Sequence, residues 1–330
     1  MPINPFGNKS EKASTIKKTD NDSEAIQSDK EKLNEIIQIT EPKYVLDDLI
    51  LPAETESQLL DFLSYKDCER QVFLEWGLAS THNFGQQVAV NFYGEPGTGK
   101  TMAAHAVASY LQKPLILVNY ADVESKYVGE TAKNICDIFR VAKEKNAIIF
   151  FDEADAILSR RVNNMSHATD VSVNQTRSVL LMLLNDYSGL VIFATNFIEN
   201  YDSAFMRRIL SHIEFCLPDM ACRRSIWAKY IPTKLPVKVN VSNLVDCSDG
   251  LSGSDISNCV LKAAMAAARS RCSIVTEDYF LNAIKEIKKS KLANEKKLIN
   301  GSLTSTVVTD EYVRDQLLNN TTGARNGESS

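Results

Sequence analysis

Gly94-Glu95-Pro96-Gly97-Thr98-Gly99-Lys100-Thr101 satisfies every fixed position of G-x-x-x-x-G-K-[ST]. Before it stands V-A-V-N-F-Y, Val88 to Tyr93, a short apolar run prone to β-structure. After it, Thr101 to Leu111 is rich in alanine and reads as a helix. Strand, glycine loop and helix in that order make a cradle for phosphate. Glycines let the backbone wrap an anion with its N–H groups turned inward. The helix presents the positive end of its dipole to the same point. Lys100 is placed to neutralise β- and γ-phosphate charge, and the Thr101 hydroxyl to ligate Mg²⁺. The nucleotide-binding segment is thus expected at Glu95, Pro96, Gly97, Thr98, Gly99, Lys100, Thr101 and Met102.

Some fifty residues on, Ile148-Ile149-Phe150-Phe151-Asp152-Glu153-Ala154-Asp155 sets carboxylates at the end of an apolar run. Parallel sheets bind ligands beyond the carboxyl ends of their strands. Asp152 is therefore the expected Mg²⁺ ligand. Glu153 is the expected base that orients and deprotonates the attacking water. Asp155 reads as structural or capping.

Leu115 to Val118, Ala147 to Phe151 and Leu190 to Ala194 are continuous apolar runs, as in strands covered on both faces. His212 to Cys216 makes a fifth strand. Thr131 to Lys145 carries Ile135, Ile138, Phe139 and Ala142 at helical spacing. Alternating strands and helices predict an α/β fold: a five-stranded parallel sheet with helices on both faces. After Pro218 the pattern turns helical, at Ala221 to Tyr230, Ser254 to Ser270 and Thr276 to Lys289, and predicts a small helical lid. The expected organisation is a polar N-terminal arm over 1–40, a large domain over 41–217, a lid over 218–292 and a polar tail over 293–330. Within the arm, Ile26, Leu33, Ile36 and Ile37 form one weak helical stripe, and Thr309 to Leu318 reads as a short helix in the tail. His105, Trp76 and Trp227 read as packing residues.

The bulk composition suits a soluble globular protein, with 44% hydrophobic and 24% charged residues. A net charge of -5 argues against nucleic acid as an obligatory partner, which asks for a basic face. The 7 cysteines include no C-x-x-C pair and the 4 histidines no ligand spacing, so reduced thiols and a cytoplasmic location are expected. The N-terminal M-P-I-N-P-F-G-N-K-S has no apolar signal core, and no run reaches the ~20 apolar residues of a membrane span.

Together these motifs resemble the AAA ATPases, especially the branch that includes katanin and spastin, over about Tyr44 to Lys289. The resemblance implies ATP with Mg²⁺ as ligands and a homo-oligomeric, hexameric ring acting on a protein substrate. Ser125-Lys126-Tyr127-Val128-Gly129-Glu130 resembles the pore loop, with Lys126, Tyr127 and Val128 contacting a threaded chain. Asn196, in F-A-T-N, resembles the sensor asparagine. Tyr201-Asp202-Ser203-Ala204-Phe205-Met206-Arg207-Arg208 resembles the second region of homology, with Arg207 and Arg208 both candidates for a finger into the neighbouring site. Gly250-Leu251-Ser252-Gly253-Ser254-Asp255-Ile256 resembles the lid turn, placing Gly253 and Ser254 at the nucleotide. The entry segment Asp48 to Leu51 is expected across from them, over the adenine.

Three functions follow from that resemblance. A protein-remodelling motor uses every motif. A nucleic-acid ATPase would call for a basic surface or an added module. A scaffold that binds but does not hydrolyse conflicts with Glu153 and Asn196. A short arm before the core also resembles bacterial remodellers of HORMA-domain proteins in anti-phage signalling, although those relatives often carry an arginine where Ser254 stands.

Overall fold

The computed structural model describes residues 37–81, 88–119, 123, 130–158, 168–196 and 201–303. The expected pore residues Lys126, Tyr127 and Val128 lie outside them. So do Ile26, Leu33, Ile36 and the segment Thr309 to Leu318.

The main sheet is built from β1 (Gln38–Thr40), β2 (Val88–Tyr93), β3 (Leu115–Asn119), β4 (Ile148–Asp152), β5 (Leu190–Thr195) and β6 (Ser211–Glu214), in the order β1-β3-β4-β5-β2-β6. The five strands expected from sequence are parallel to their neighbours. The sixth, β1, was not expected. It adds antiparallel to β3, pairing Gln38 with Leu117 and Thr40 with Leu115. Residues assigned to the arm thus complete a sheet edge. With only three residues and exposed side chains at Gln38 and Ile39, β1 leaves little apolar pattern to read.

The strands alternate their side chains between two apolar layers. On one face, Ile149, Phe151, Val191 and Phe193 pack beneath α3 (Glu130–Lys145) and α5 (Ala168–Asp186), through Ile135, Ile138, Phe139, Leu180 and Leu184. Phe151 and Phe193 stack with centroids 5.4 Å apart, and the Tyr187 hydroxyl donates to the Ala147 carbonyl at 3.0 Å. On the other face, Val90, Phe92, Ile148, Phe150 and Ile192 meet α1 (Ala53–Arg70) and α2 (Lys100–Tyr110). Alanines at 103, 104 and 108 let α2 approach closely. His105 is buried, accepts from the Lys43 amide and stands edge-on to Tyr44. Trp227 is fully buried. Trp76, which caps a π-helical turn at the end of α1, is instead 66% exposed and forms no part of the core.

The remaining elements are α4 (Asp155–Leu158), α6 (Ser203–Met206), α7 (Met220–Tyr230), β7 (Val237–Lys238), α8 (Val241–Cys247), α9 (Gly253–Arg269), β8 (Val275–Thr276) and α10 (Glu277–Leu303). The chain divides into two compact units. The first runs up to Tyr230 and includes Asp249–Ser257; the second holds Ile231–Ser248 and the chain from Asn258 on. The contacts thus assign α7 to the first unit, whereas the sequence change at Pro218 put it with the lid. Its Arg223 donates to the Pro218 carbonyl and pairs with Asp249 at 2.9 Å, both first-unit residues. In the second unit β7 pairs with β8, and the Glu277 carboxylate accepts from the Asn240 amide and the Asn243 side chain. The last helix continues through Leu303, into the region read as tail.

Candidate nucleotide site

Register brings the motifs together. Tyr93 pairs with Thr195, and Phe151 with Phe193, so β2, β5 and β4 end at one level. The glycine loop leaves β2 there, the acidic pair closes β4, and Asn196 follows β5.

The loop is closely packed. Gly94 has φ +137°, and a Cβ on it would collide with the Phe215 carbonyl oxygen, so only glycine fits. Gly97, at φ +78°, lies against the Ser252 and Ser254 hydroxyls in the same way. The Ser254 amide donates to the Gly97 carbonyl at 3.2 Å. The Ser252 amide and hydroxyl both donate to Asp255 Oδ2, which fixes the first turn of α9.

Lys100 is buried at 8% exposure. Its ammonium donates to the carbonyls of Gly94 at 2.7 Å and Glu95 at 3.0 Å, and to Asn196 Oδ1 at 3.1 Å. Burial pulls its pKa below the ordinary lysine value, while the carboxylates of Asp152, Asp155 and Glu95 pull it back up. The Thr101 hydroxyl donates to Asp152 Oδ2 at 3.3 Å. A hydroxyl and a carboxylate side by side are the hard oxygen donors that Mg²⁺ takes alongside water and phosphate oxygens. The buried cation and the helix N-terminus complement the phosphates. The residues present therefore fit ATP with Mg²⁺.

Glu153 is exposed, and its backbone amide donates to Asp152 Oδ1 at 2.9 Å. Its φ is +50°, in the left-handed region, where the Cβ of any L-residue crowds the following carbonyl oxygen. Such strained residues cluster at functional sites. Behind the pair, Asp155 accepts from the Thr195 hydroxyl, and from the Asn196 amide at 3.4 Å.

These groups line one cavity of about 390 Å³, within the first unit. Every expected nucleotide-binding residue lines it except Glu95, which contributes its carbonyl to Lys100. Gly253 and Ser254 are among them, and Asp48 to Leu51 form part of the wall. Sequence reasoning missed Ile226, Lys229 and Tyr230, which also line it. Their spacing of three and four on α7 puts them on one helix face, a signal that marks a face but not what it faces. Lys229 donates to the Asp48 carbonyl at 2.7 Å and so holds the entry segment. The Val45 amide and the Lys229 ammonium keep the Asp48 carboxyl below its usual range.

Neither Arg207 nor Arg208 lines the cavity. Arg208 is tied down: its Nε donates to Asn185 Oδ1 and an Nη to the Ala204 carbonyl, both at 2.8 Å. Arg207 is exposed, and its side chain makes no hydrogen bond or ion pair among the described residues.

Residues 90–217 match the profile of the "ATPase family associated with various cellular activities (AAA)", and residues 238–282 match the AAA+ lid domain. These segments are an AAA ATPase domain and its lid. As an AAA ATPase domain its nucleotide site takes ATP with Mg²⁺ and hydrolyses ATP. The AAA chain is 34% identical over 212 residues to 26S proteasome regulatory subunit 7 of Dictyostelium discoideum, covering 61% of this chain and 49% of that one. It is 37% identical over 206 residues to the proteasome-activating nucleotidase of Saccharolobus islandicus, 60% of this chain and 52% of that one. To the ATP-dependent zinc metalloprotease FtsH of Parabacteroides distasonis it is 34% identical over 215 residues, 61% of this chain and 31% of the relative. The AAA chain thus spans about half the length of the proteasomal relatives and less of FtsH. These relatives support the AAA family as a whole and do not distinguish its branches. Among the described residues no helix is long and apolar enough to cross a membrane.

Proposed function

We propose that this AAA ATPase works as a homo-oligomeric, hexameric ring that uses ATP hydrolysis to unfold or remodel a protein substrate. The observation that carries the reading is the division of the site. Lys100, Thr101, Asp152, Glu153 and Asn196 converge on one cavity, yet no arginine lines it. Charge that builds on the transferred phosphoryl group calls for a further cation. Arg207 stands exposed and untethered on the same unit, free to serve the site of a neighbouring copy. Arg208, held by Asn185 and Ala204, anchors the turn that presents it.

In this reading the loop amides and Lys100 hold the phosphates, Gly253 and Ser254 close the cavity wall, and Asn196 orients the attacking water. Glu153 takes the proton from that water. Mg²⁺, held by Thr101 and Asp152, supplies charge neutralisation when bound. Lys126, Tyr127 and Val128 form the pore segment, whose aromatic ring grips an extended chain without regard to sequence. The names of the relatives, two proteasomal and one an ATP-dependent protease, favour a protein client over nucleic acid, as does the net charge of -5.

Mixing two inactive variants tests the ring. Arg207→Ala and Glu153→Gln should each turn over poorly alone. Mixed, an Arg207→Ala site can use the arginine of a Glu153→Gln neighbour, and phosphate release should recover. No recovery, with turnover per chain independent of concentration, would refute a shared site. ATP-loaded Glu153→Gln should also retain protein that ADP releases; retention of nucleic acid alone would refute the protein client.

A further inference from the structure

One group of buried polar side chains is unused by the mechanism above. Asn91 is fully buried in the middle of β2, where an apolar residue would pack at less cost. Its Nδ2 has no partner among the described residues. Its Oδ1 accepts from the Tyr201 hydroxyl at 3.3 Å, and Tyr201 is itself 6% exposed. The Thr195 side chain lies beside the phenol. Thr195 donates in turn to Asp155, which accepts from the Asn196 amide. Asn196, Asp155 and Thr195 thus form one hydrogen-bonded group and Tyr201 with Asn91 a second, and the two meet where the Thr195 side chain lies beside the phenol.

The position of Tyr201 in the chain gives this meeting point its meaning. It immediately precedes Asp202, whose Oδ1 caps α6 by accepting from the Ala204 amide at 2.9 Å. The Asp202 amide donates to the Leu158 carbonyl at 2.9 Å, beside α4. Arg207 follows α6 directly, its amide donating to the Ser203 carbonyl. Tyr201 thus stands where the arginine-bearing turn begins, bonded to Asn91 of β2 and beside the strand end that carries Asn196.

We infer that Tyr201 is a positioning residue for hydrolysis: through Asn91 and Thr195 its hydroxyl fixes the arginine turn relative to Asn196. The inference rests on the roles given above to Asn196 and Arg207. Packing alone does not ask for the hydroxyl, since phenylalanine fills the same volume. Buried polar groups are costly unless each is satisfied, and among the described residues the Asn91 Nδ2 has no partner. That cost at the junction of two functional segments points to a task other than folding.

Tyr201→Phe in the full chain tests it, with turnover read at concentrations where the wild type is fully assembled. Nucleotide affinity and KM should stay within about twofold, while kcat falls about tenfold or more, the effect of a small misplacement of a catalytic group. Combined with Arg207→Ala, the loss should be less than multiplicative, because both changes act through one arginine. Asn91→Leu should reproduce the kcat loss while the thermal midpoint is no lower, which a purely structural role cannot produce. Wild-type kcat in Tyr201→Phe, beside an impaired Arg207→Ala, overturns this inference alone. Wild-type kcat in Arg207→Ala overturns the finger and this inference with it.

Discussion

Glu153 combines two properties that substitution can separate. Its carboxylate is exposed in the cavity, and its backbone sits at φ +50°. Glu153→Gln keeps the shape and removes the base. General-base loss costs about 10²–10⁴ in rate, or about 3–5 kcal/mol of barrier. The side chain is exposed, so stability should change by no more than about 0.5 kcal/mol. Glycine and alanine then isolate the backbone. A non-glycine residue in the left-handed region costs about 1–2 kcal/mol. Glycine removes that cost but gives back about 0.5–1 kcal/mol of chain entropy. Glu153→Gly should therefore exceed Glu153→Ala in stability by about 0.5–1 kcal/mol. For a domain of this size that is roughly 1–4 °C in midpoint. Thermal melts give the stability order, steady-state phosphate release gives kcat, and titration with a slowly hydrolysed ATP analogue gives affinity. All three variants should bind nucleotide and fail to turn it over. An alanine variant as stable as the glycine one would refute the strained backbone, and a Glu153→Gln enzyme within threefold of wild type would refute the base.

Arg208→Ala removes two hydrogen bonds of a charged group and should lower stability by about 1.5–3 kcal/mol, whereas Arg207→Ala should leave the melting midpoint in place and cut turnover by about 10³ or more. Trp227→Ala should cost about 3–5 kcal/mol by denaturant titration, and Trp76→Ala within about 0.5 kcal/mol, reversing the equal standing that sequence gave them. Burial lowers the pKa of His105, helped by Lys43, and of His212. The unfolded chain then binds more protons than the folded one below the ordinary histidine value of 6.5. Stability should be constant above that pH with respect to these groups, and should fall as acidification proceeds from it toward the lowered folded values. Urea midpoints between neutral pH and about pH 5 check this, and a double variant lacking both imidazoles should show a flatter profile.

The phosphate loop, the acidic pair and the parallel sheet were legible because their chemistry is local. A glycine that must avoid the Phe215 carbonyl, a lysine one helix position on, and apolar runs covered on both faces each leave a pattern in a few adjacent residues. The α7 wall of the cavity was not legible, because Ile226 and Tyr230 look like any amphipathic face until the fold aims them. Trp76 misled for a related reason: a tryptophan beside a helix end is usually covered, and only coordinates show that nothing described here covers it. β1 lacked the length to show a period. That Arg208 is held depends on Asn185, 23 residues away in sequence, whose side chain accepts from its guanidinium.

The costs in this domain are not spread evenly. The apolar layers on both faces of the sheet are closely filled, with Phe92, Phe150, Phe151 and Phe193 each nearly inaccessible. Three departures border the cavity or its strands: a buried ammonium at Lys100, a left-handed backbone at Glu153 and, among the described residues, an unpartnered amide at Asn91. Each would be cheaper as another residue type if folding were the only demand. Lys100 is held by carbonyls of the loop it serves, so its charge is fixed before any anion arrives and needs little reorganisation. Glu153 is aimed outward by a backbone conformation that a relaxed strand end would not supply. Asn91 accepts from Tyr201, which stands just ahead of the turn that bears Arg207. Among the described residues Lys100 and Lys229 are the cations that line the cavity, and no arginine joins them. If, as proposed, a neighbour's Arg207 completes this site, turnover per chain should fall on dilution through the assembly range, and turnover that stayed constant would contradict it.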